Sequence, residues 1–420
     1  MTPYLTVSER SLPMAMLPRL AVPAYTTSPL TRHCDAGAEA APGETGLSPA
    51  ALNAIERDLE RLYGTGMSPG VALHLRHRGQ TVLDRALGYA DPELGTPLTV
   101  DTPVCLFSAS KAVTAMLVHH LAEQGALDLH QRVSHYLPEY GQAGKHRTTL
   151  MHVLTHRAGV PRIREPVTPE DLFDYDRIMT LMSRARPEKP GRQQAYHAIT
   201  AGFVLGEVIR RVTGASIDEL LDRVIRQPMG MRHFTFGLAD PSVAPARNVA
   251  TGLQLAPVDS FLRHAVGGGL QEVVEISNDP RFLDATIPAG NLYATAEEAS
   301  RFFQMLLDDG RYGDQQLFHP DTVRRAVGRT GRGGRIDRTL MLPLEFSPGF
   351  MLGAKRISLY GPGTPNAFGH LGFISIYCWA DPDRDLSGAL LTTGKAVLGA
   401  HFPALFKLQY TINKTTLLAT

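Results

Sequence analysis

Only three cysteines, Cys34, Cys105 and Cys378, occur in 420 residues. So few, and an odd number, cannot build the disulfide framework of a small secreted domain, and they point to a reducing compartment. Long hydrophobic runs are lacking too: nothing approaches the roughly 18 consecutive apolar residues that cross a bilayer. The first 25 residues contain Glu9 and are broken by Pro13, Pro18 and Pro23, so they hold no unbroken apolar signal segment. A cytoplasmic protein is the expectation. Neither charge is in excess, with 42 basic against 41 acidic residues and a formal charge of +1, which gives nucleic acid no footing as a partner.

Several catalytic signatures are absent as well. Without Gly-x-Ser-x-Gly the lipase type of α/β-hydrolase loses its main signal. The 16 histidines include His119, His120, His152 and His156, yet they form no HExxH or Cys/His ligand pattern, so neither metal nor cofactor is expected. Gly267, Gly268 and Gly269 lack the strand–turn–helix setting of a nucleotide cradle and read as a flexible loop. The Arg-rich stretch 328–338 (GRTGRGGRIDR) has no P-loop Lys-Ser/Thr pair and reads as a solvated loop.

What remains is the composition of a globular enzyme, 43% hydrophobic and 20% charged. The length exceeds what one core of about 250–300 residues accommodates, so two structural regions are expected. Residues 1–45, rich in Pro, Ala and Thr, read as an N-terminal extension draped over the body or partly disordered. Ser48-Pro49 is an N-cap followed by a first helical residue, and Leu52, Ile55, Leu59 and Leu62 share a face until Gly64. Residues 71–75 and 81–87 alternate around His77-Arg78-Gly79 as a β-hairpin does. Helices are predicted over 108–124, 149–156, 199–212 (closed by Gly214), 217–226 and 295–307. Strands are predicted over 349–354, 369–380 and 388–392, with a closing helix over 398–410. Strands at both ends with helices between them predict an α+β fold, an α/β sandwich. Its sheet unit comprises 46–107 and 290–420, and a mainly helical unit spans 108–289.

The most informative segment is Phe107-Ser108-Ala109-Ser110-Lys111-Ala112-Val113, at the start of a predicted helix. Ser108 there projects its hydroxyl toward a cleft, and its backbone N–H is free to bind an oxyanion. Lys111, three residues on, shares its face. Val113, Met116, Leu117 and Leu121 make this helix buried, and a buried ammonium, above all one near other cations, gives up its proton and can accept that of a serine. The spacing alone is unspecific: Ser108 as a plain N-cap beside a surface Lys111 would account for it.

Four further segments in order make the chain resemble a known family, the serine β-lactamase and penicillin-binding superfamily. The likeness is to the class C β-lactamase-like esterases, or family VIII carboxylesterases, over roughly residues 50–400. Ser108-x-x-Lys111 resembles the first motif of that family, and Leu150-Met-His-Val-Leu-Thr155-His156-x-x-Gly159 the segment that follows it. Tyr196-His197-Ala198 falls at the Tyr-x-Asn position. The stretches Pro288-Ala-Gly290-Asn291-Leu-Tyr293-Ala-Thr295-Ala-Glu297 and Met305-Leu-Leu-Asp-Asp-Gly310 are similar to another shared region. Gly369-His370-Leu371-Gly372 resembles the third motif, Lys-Thr-Gly in lactamases and often His-x-Gly in esterases.

The resemblance implies an antiparallel sheet flanked by helices and a serine acyl-enzyme. It also implies a general base shared by Lys111 and Tyr196, with a tyrosinate stabilised by the neighbouring ammonium. The second oxyanion N–H falls on Phe373, after Gly372, whose missing side chain lets the backbone approach the substrate, and His370 walls the site. Two departures stand out. Ala198 replaces an amide that would hold the acylamino group of a lactam, and His370, largely neutral at pH 7, replaces a lysine that would pair with a substrate carboxylate. Both favour simple carboxylic esters. The same machinery would also serve acyl transfer to an alcohol or amine, or β-lactamase and D-Ala-D-Ala peptidase action, and the fold would allow a catalytically silent binding protein. Acyl and alcohol preference and oligomeric state are not encoded in these motifs.

Overall fold

The computed structural model describes residues 32–33, 39–165, 167–238, 240, 242–331 and 336–417. Helix α1 spans Pro49–Gly64, and the Ser48 side chain accepts the Ala51 N–H as its N-cap. Strands β1 (Gly70–His77) and β2 (Gln80–Asp91) form the expected hairpin. Its turn residues Arg78 and Gly79 both take positive φ, 53° and 74°, the geometry that matches strand twist. Then come helices α2 (Ser110–Glu123), α3 (Thr200–Thr213) and α4 (Ala296–Leu307). Strands β3 (Phe368–Gly372), β4 (Ile376–Asp381) and β5 (Leu386–Thr392) precede the last helix, α5 (His401–Leu417).

These strands and three short ones form an antiparallel sheet ordered Arg32–His33, β2, β1, β5, β4, β3, Met351–Leu352, with Thr96–Pro97 also on β2. The two ends of the chain meet in its middle, where β1 pairs with β5 from Val71 opposite Thr392 to His77 opposite Leu386. Period-two alternation gives the sheet two apolar faces. On one, Leu73, Leu75, Leu390 and Trp379 pack beneath α1 (Ile55, Leu59) and α5 (Leu405, Leu408). On the other, the smaller Ala72, Cys378 and Ala389 admit Ala299 and Phe303 of α4 and the flank of α2. Polar pins hold α4 in place: Ser300 Oγ lies 2.6 Å from His74 Nδ1, and Ser387 Oγ donates to Gln304 Oε1 at 2.9 Å. The predicted α+β sandwich is found.

Differences lie at the element ends. Only Met351–Leu352 is a strand within 349–354, and the run 369–380 is two strands, because Ile374 and Ser375 turn the chain with φ of 47° and 66°. The closing helix continues to Leu417, and the run 217–226 is a short α-helix that widens into a π turn over Asp222–Arg226. Helices Tyr175–Arg184, Ala256–Val266 and Leu270–Ser277 fill the middle of the chain. Most of the N-terminal extension, with Cys34, lies outside the described residues. Arg32 and His33 pair with Leu87 and Ala86, and Glu39 accepts from the Asp84 N–H and from Arg85. No helix among the described residues is long and apolar enough to cross a membrane.

Candidate active site

Ser108 lies just ahead of the helix predicted to begin with it: Phe107–Ala109 is a 3-10 turn, and α2 starts at Ser110. Phe107 takes φ of 46°, a costly conformation for a side chain of its size. Surrounding contacts hold it there. Ser110 Oγ donates to the Phe107 carbonyl at 2.5 Å, and the Phe373 ring lies 5.5 Å from that of Phe107. Nearly every residue of α2 is buried, and the segment 288–292 runs along it. Thr114 Oγ1 donates to the Pro288 carbonyl at 2.5 Å, and Ser110 Oγ accepts the Leu292 N–H at 3.0 Å. Asn291 shapes that segment, donating to the Phe282 and Ala285 carbonyls and accepting the Ile287 N–H. A Cβ on Gly202 would come within 2.5 Å of Ala289 N, so α3 presses on the same segment through a glycine.

Lys111 Nζ lies 3.1 Å from Ser108 Oγ and 3.0 Å from the Ala289 carbonyl oxygen. Burial pulls its pKa well below the ordinary lysine value. Burial rather than a standing charge is the cause: His156, His197 and His370 around it are buried, and their pKa values are themselves lowered. Burial, reinforced by Lys111, lowers His370 to about 3 and His197 to about 4, and His156 falls well below its usual value.

Tyr196 is buried, its ring centre 5.0 Å from Lys111 Nζ and 4.7 Å from the His156 ring. Its hydroxyl interacts with Ser108 without a well-formed hydrogen bond. Burial raises the phenol pKa well above its ordinary value, an effect that outweighs the Ser108 interaction, and Asp337 adds to it. The tyrosinate implied by the resemblance is therefore not favoured here. Asp337, fully buried, fixes the backbone at this point: its Oδ1 accepts the N–H groups of Tyr196 (3.0 Å), Thr339 and Leu340 (both 2.9 Å). This residue belongs to the Arg-rich stretch read as a solvated loop. Arg329 of the same stretch also bonds inward, to Glu345 and to the Gly353 and Pro365 carbonyls. A buried carboxylate collecting three N–H groups leaves no trace in a run dominated by Gly and Arg.

Ser108 and Phe373 share the lining of one cavity of about 220 Å³. Ala198 lines it as well, whereas Lys111, Tyr196 and His370 do not. His370 instead stands beside Tyr196, ring centres 6.2 Å apart, with Nδ1 2.7 Å from the Leu371 carbonyl and Nε2 unpartnered among the described residues. Gly372 also meets a constraint from the chain itself. A Cβ there would sit 2.4 Å from the Leu106 carbonyl oxygen and 2.7 Å from Ile376 Cβ, so the close approach is to the chain itself. That contact holds the β3–β4 turn against the residues leading into Ser108.

Fold and site together define a serine hydrolase. Residues 55–404 match the Beta-lactamase family model, and the chain belongs to that family. It is 29% identical to the esterase/beta-lactamase LipL of Mycobacterium tuberculosis, over 77% of this chain and 76% of that protein. It is 32% identical to esterase EstB of Burkholderia gladioli, over 81% of this chain and 89% of the relative. Among solved structures, a family VIII carboxylesterase superposes with a TM-score of 0.76 at 25% identity, covering 88% of this chain and 98% of the other.

Proposed function

We propose that this chain is a carboxylesterase that works through an acyl-enzyme on Ser108. The observation that carries the reading is the 3.1 Å approach of the buried Lys111 amine, whose pKa burial lowers, to the Ser108 hydroxyl beside an apolar cavity. Lys111 takes the Ser108 proton as Oγ bonds to the ester carbonyl carbon, and the carbonyl electron pair moves onto oxygen between the N–H groups of Ser108 and Phe373. Collapse expels the alcohol oxygen, which takes its proton from Tyr196; Lys111 restores that of Tyr196. Water then attacks the acyl-enzyme carbonyl and passes a proton to Lys111; as the bond to Ser108 Oγ breaks, Lys111 returns that proton to Oγ, releasing the acid and restoring Ser108 and the neutral amine. Tyr196 acts as a phenol throughout, which suits a donor in a buried site.

The relatives named esterases support ester substrates, and so does Ala198, which puts a methyl where a lactam's acylamino group would need an amide partner. Hydrolysis of p-nitrophenyl butyrate by the wild type and its loss in Ser108→Ala is the test. A fluorophosphonate should add its mass to the intact wild type and leave the variant unlabelled. Equal rates in the two proteins would end the assignment, and nitrocefin turnover as fast as that of the ester would replace it with a β-lactamase.

A further inference from the structure

The cavity that opens beside Ser108 has a direction. At an ester carbonyl under attack, the four groups on carbon are Ser108 Oγ, the oxyanion, the departing alcohol oxygen and the acyl carbon. The oxyanion faces Phe373. The alcohol oxygen must face its proton donor, on the side of Lys111 and Tyr196, and neither residue reaches the cavity wall. Only the acyl carbon is left to point into the cavity.

The walls suit an alkyl chain. The buried Phe203, Phe282 and Ile287 line the cavity together with Ile199, Ile276 and the exposed Val167. An apolar cavity of about 150 Å³ takes the six carbons of benzene, so about 220 Å³ has room for roughly eight or nine. We propose that this chain selects esters of medium-length, unbranched fatty acids, with the acyl chain of about six to nine carbons lodged in this cavity and the alcohol directed away from it. The proposal rests on the Ser108 acyl-enzyme put forward above.

Each methylene buried from water contributes about 0.8 kcal/mol, or about fourfold in kcat/KM. The test is a series of p-nitrophenyl esters from acetate to laurate beside a series of acetate esters of lengthening alcohols, with wild type, Ile276→Trp and Val273→Trp. Val273 and Ile276 both line the cavity from the helix Leu270–Ser277. The expected result is a rise of at least tenfold in kcat/KM from acetate to hexanoate or octanoate, a fall at laurate, and less than threefold change along the alcohol series. Either tryptophan should cut the octanoate-to-acetate ratio at least tenfold, and having two variants guards against one that misfolds. A flat or falling acyl series, or an equal gain along the alcohol series, would overturn the proposal while leaving the esterase reading intact. Calorimetry of Ser108→Ala with octanamide and acetamide addresses the cavity without turnover. Binding of octanamide at least tenfold tighter supports the proposal even if no ester is hydrolysed, and equal binding overturns it.

Discussion

Burial acts on Lys111 and Tyr196 in opposite senses, lowering the amine and raising the phenol, so it favours the uncharged form of both. Arginine cannot make that change, because its guanidinium keeps its proton at any pH a protein survives. Lys111→Arg should therefore lose about 10³-fold or more in kcat/KM on p-nitrophenyl butyrate, and the loss should persist at pH 9. In the wild type the active form is the neutral amine, so activity falls as pH drops through the lowered lysine pKa and is level above it. A rate still climbing steeply at pH 10 would contradict this. At this scale the Ser108–Lys111 pair was legible because three residues of helix put the two side chains together. Tyr196 became visible only through the order of the motifs, since nothing local distinguishes it from another half-buried aromatic. Asp337 was not visible at all, because its hydrogen bond joins residues 141 apart.

Among the strands, β2 holds an acid out of its element. Asp84 lies opposite His74 on β1, and burial, followed by Glu297 and Glu39, pushes its pKa up to about 7. Its Oδ1 has no hydrogen-bond partner among the described residues. In the unfolded chain the group ionises near 3.9, so above pH 7 the folded state carries the whole cost of burying the charge, and below about pH 4 it carries none. Asp84→Asn, which imitates the protonated acid, should stabilise the protein at pH 8 by up to about 4 kcal/mol, the ceiling set by about three pKa units. That gain should shrink at pH 6 and vanish near pH 4 in urea titrations. A gain independent of pH would show that ionisation is not its source. The hairpin around Arg78-Gly79 was readable because turn chemistry is local. The break between β3 and β4 was not, because Ile374 and Ser375 adopt positive φ without the glycine or asparagine that usually announces it.

For the molecule as a whole, stability depends on α1 and α5 closing over the sheet. Thr411 Oγ1 donates to Asp58 Oδ2 at 2.6 Å between these helices, and Leu408 is fully buried beneath them. Leu408→Ala should cost about 2–5 kcal/mol, read as a lower urea midpoint, with ester turnover per folded molecule unchanged because the site lies across the sheet. A change in kcat larger than twofold would mean that the outer layer reaches the chemistry. The pairing of the chain's two ends was legible in outline from strands at both termini; its register depends on contacts no local pattern contains.

That pairing also bears on how the protein is made. Because β1 closes against β5, a ribosome must deliver the chain through Thr392 before the middle of the sheet exists. Until then the nascent hairpin β1–β2 has α1 over Leu73 and Leu75 but lacks α5 and the Leu390 edge of β5, so the outer layer stays half built while the last strands are being translated.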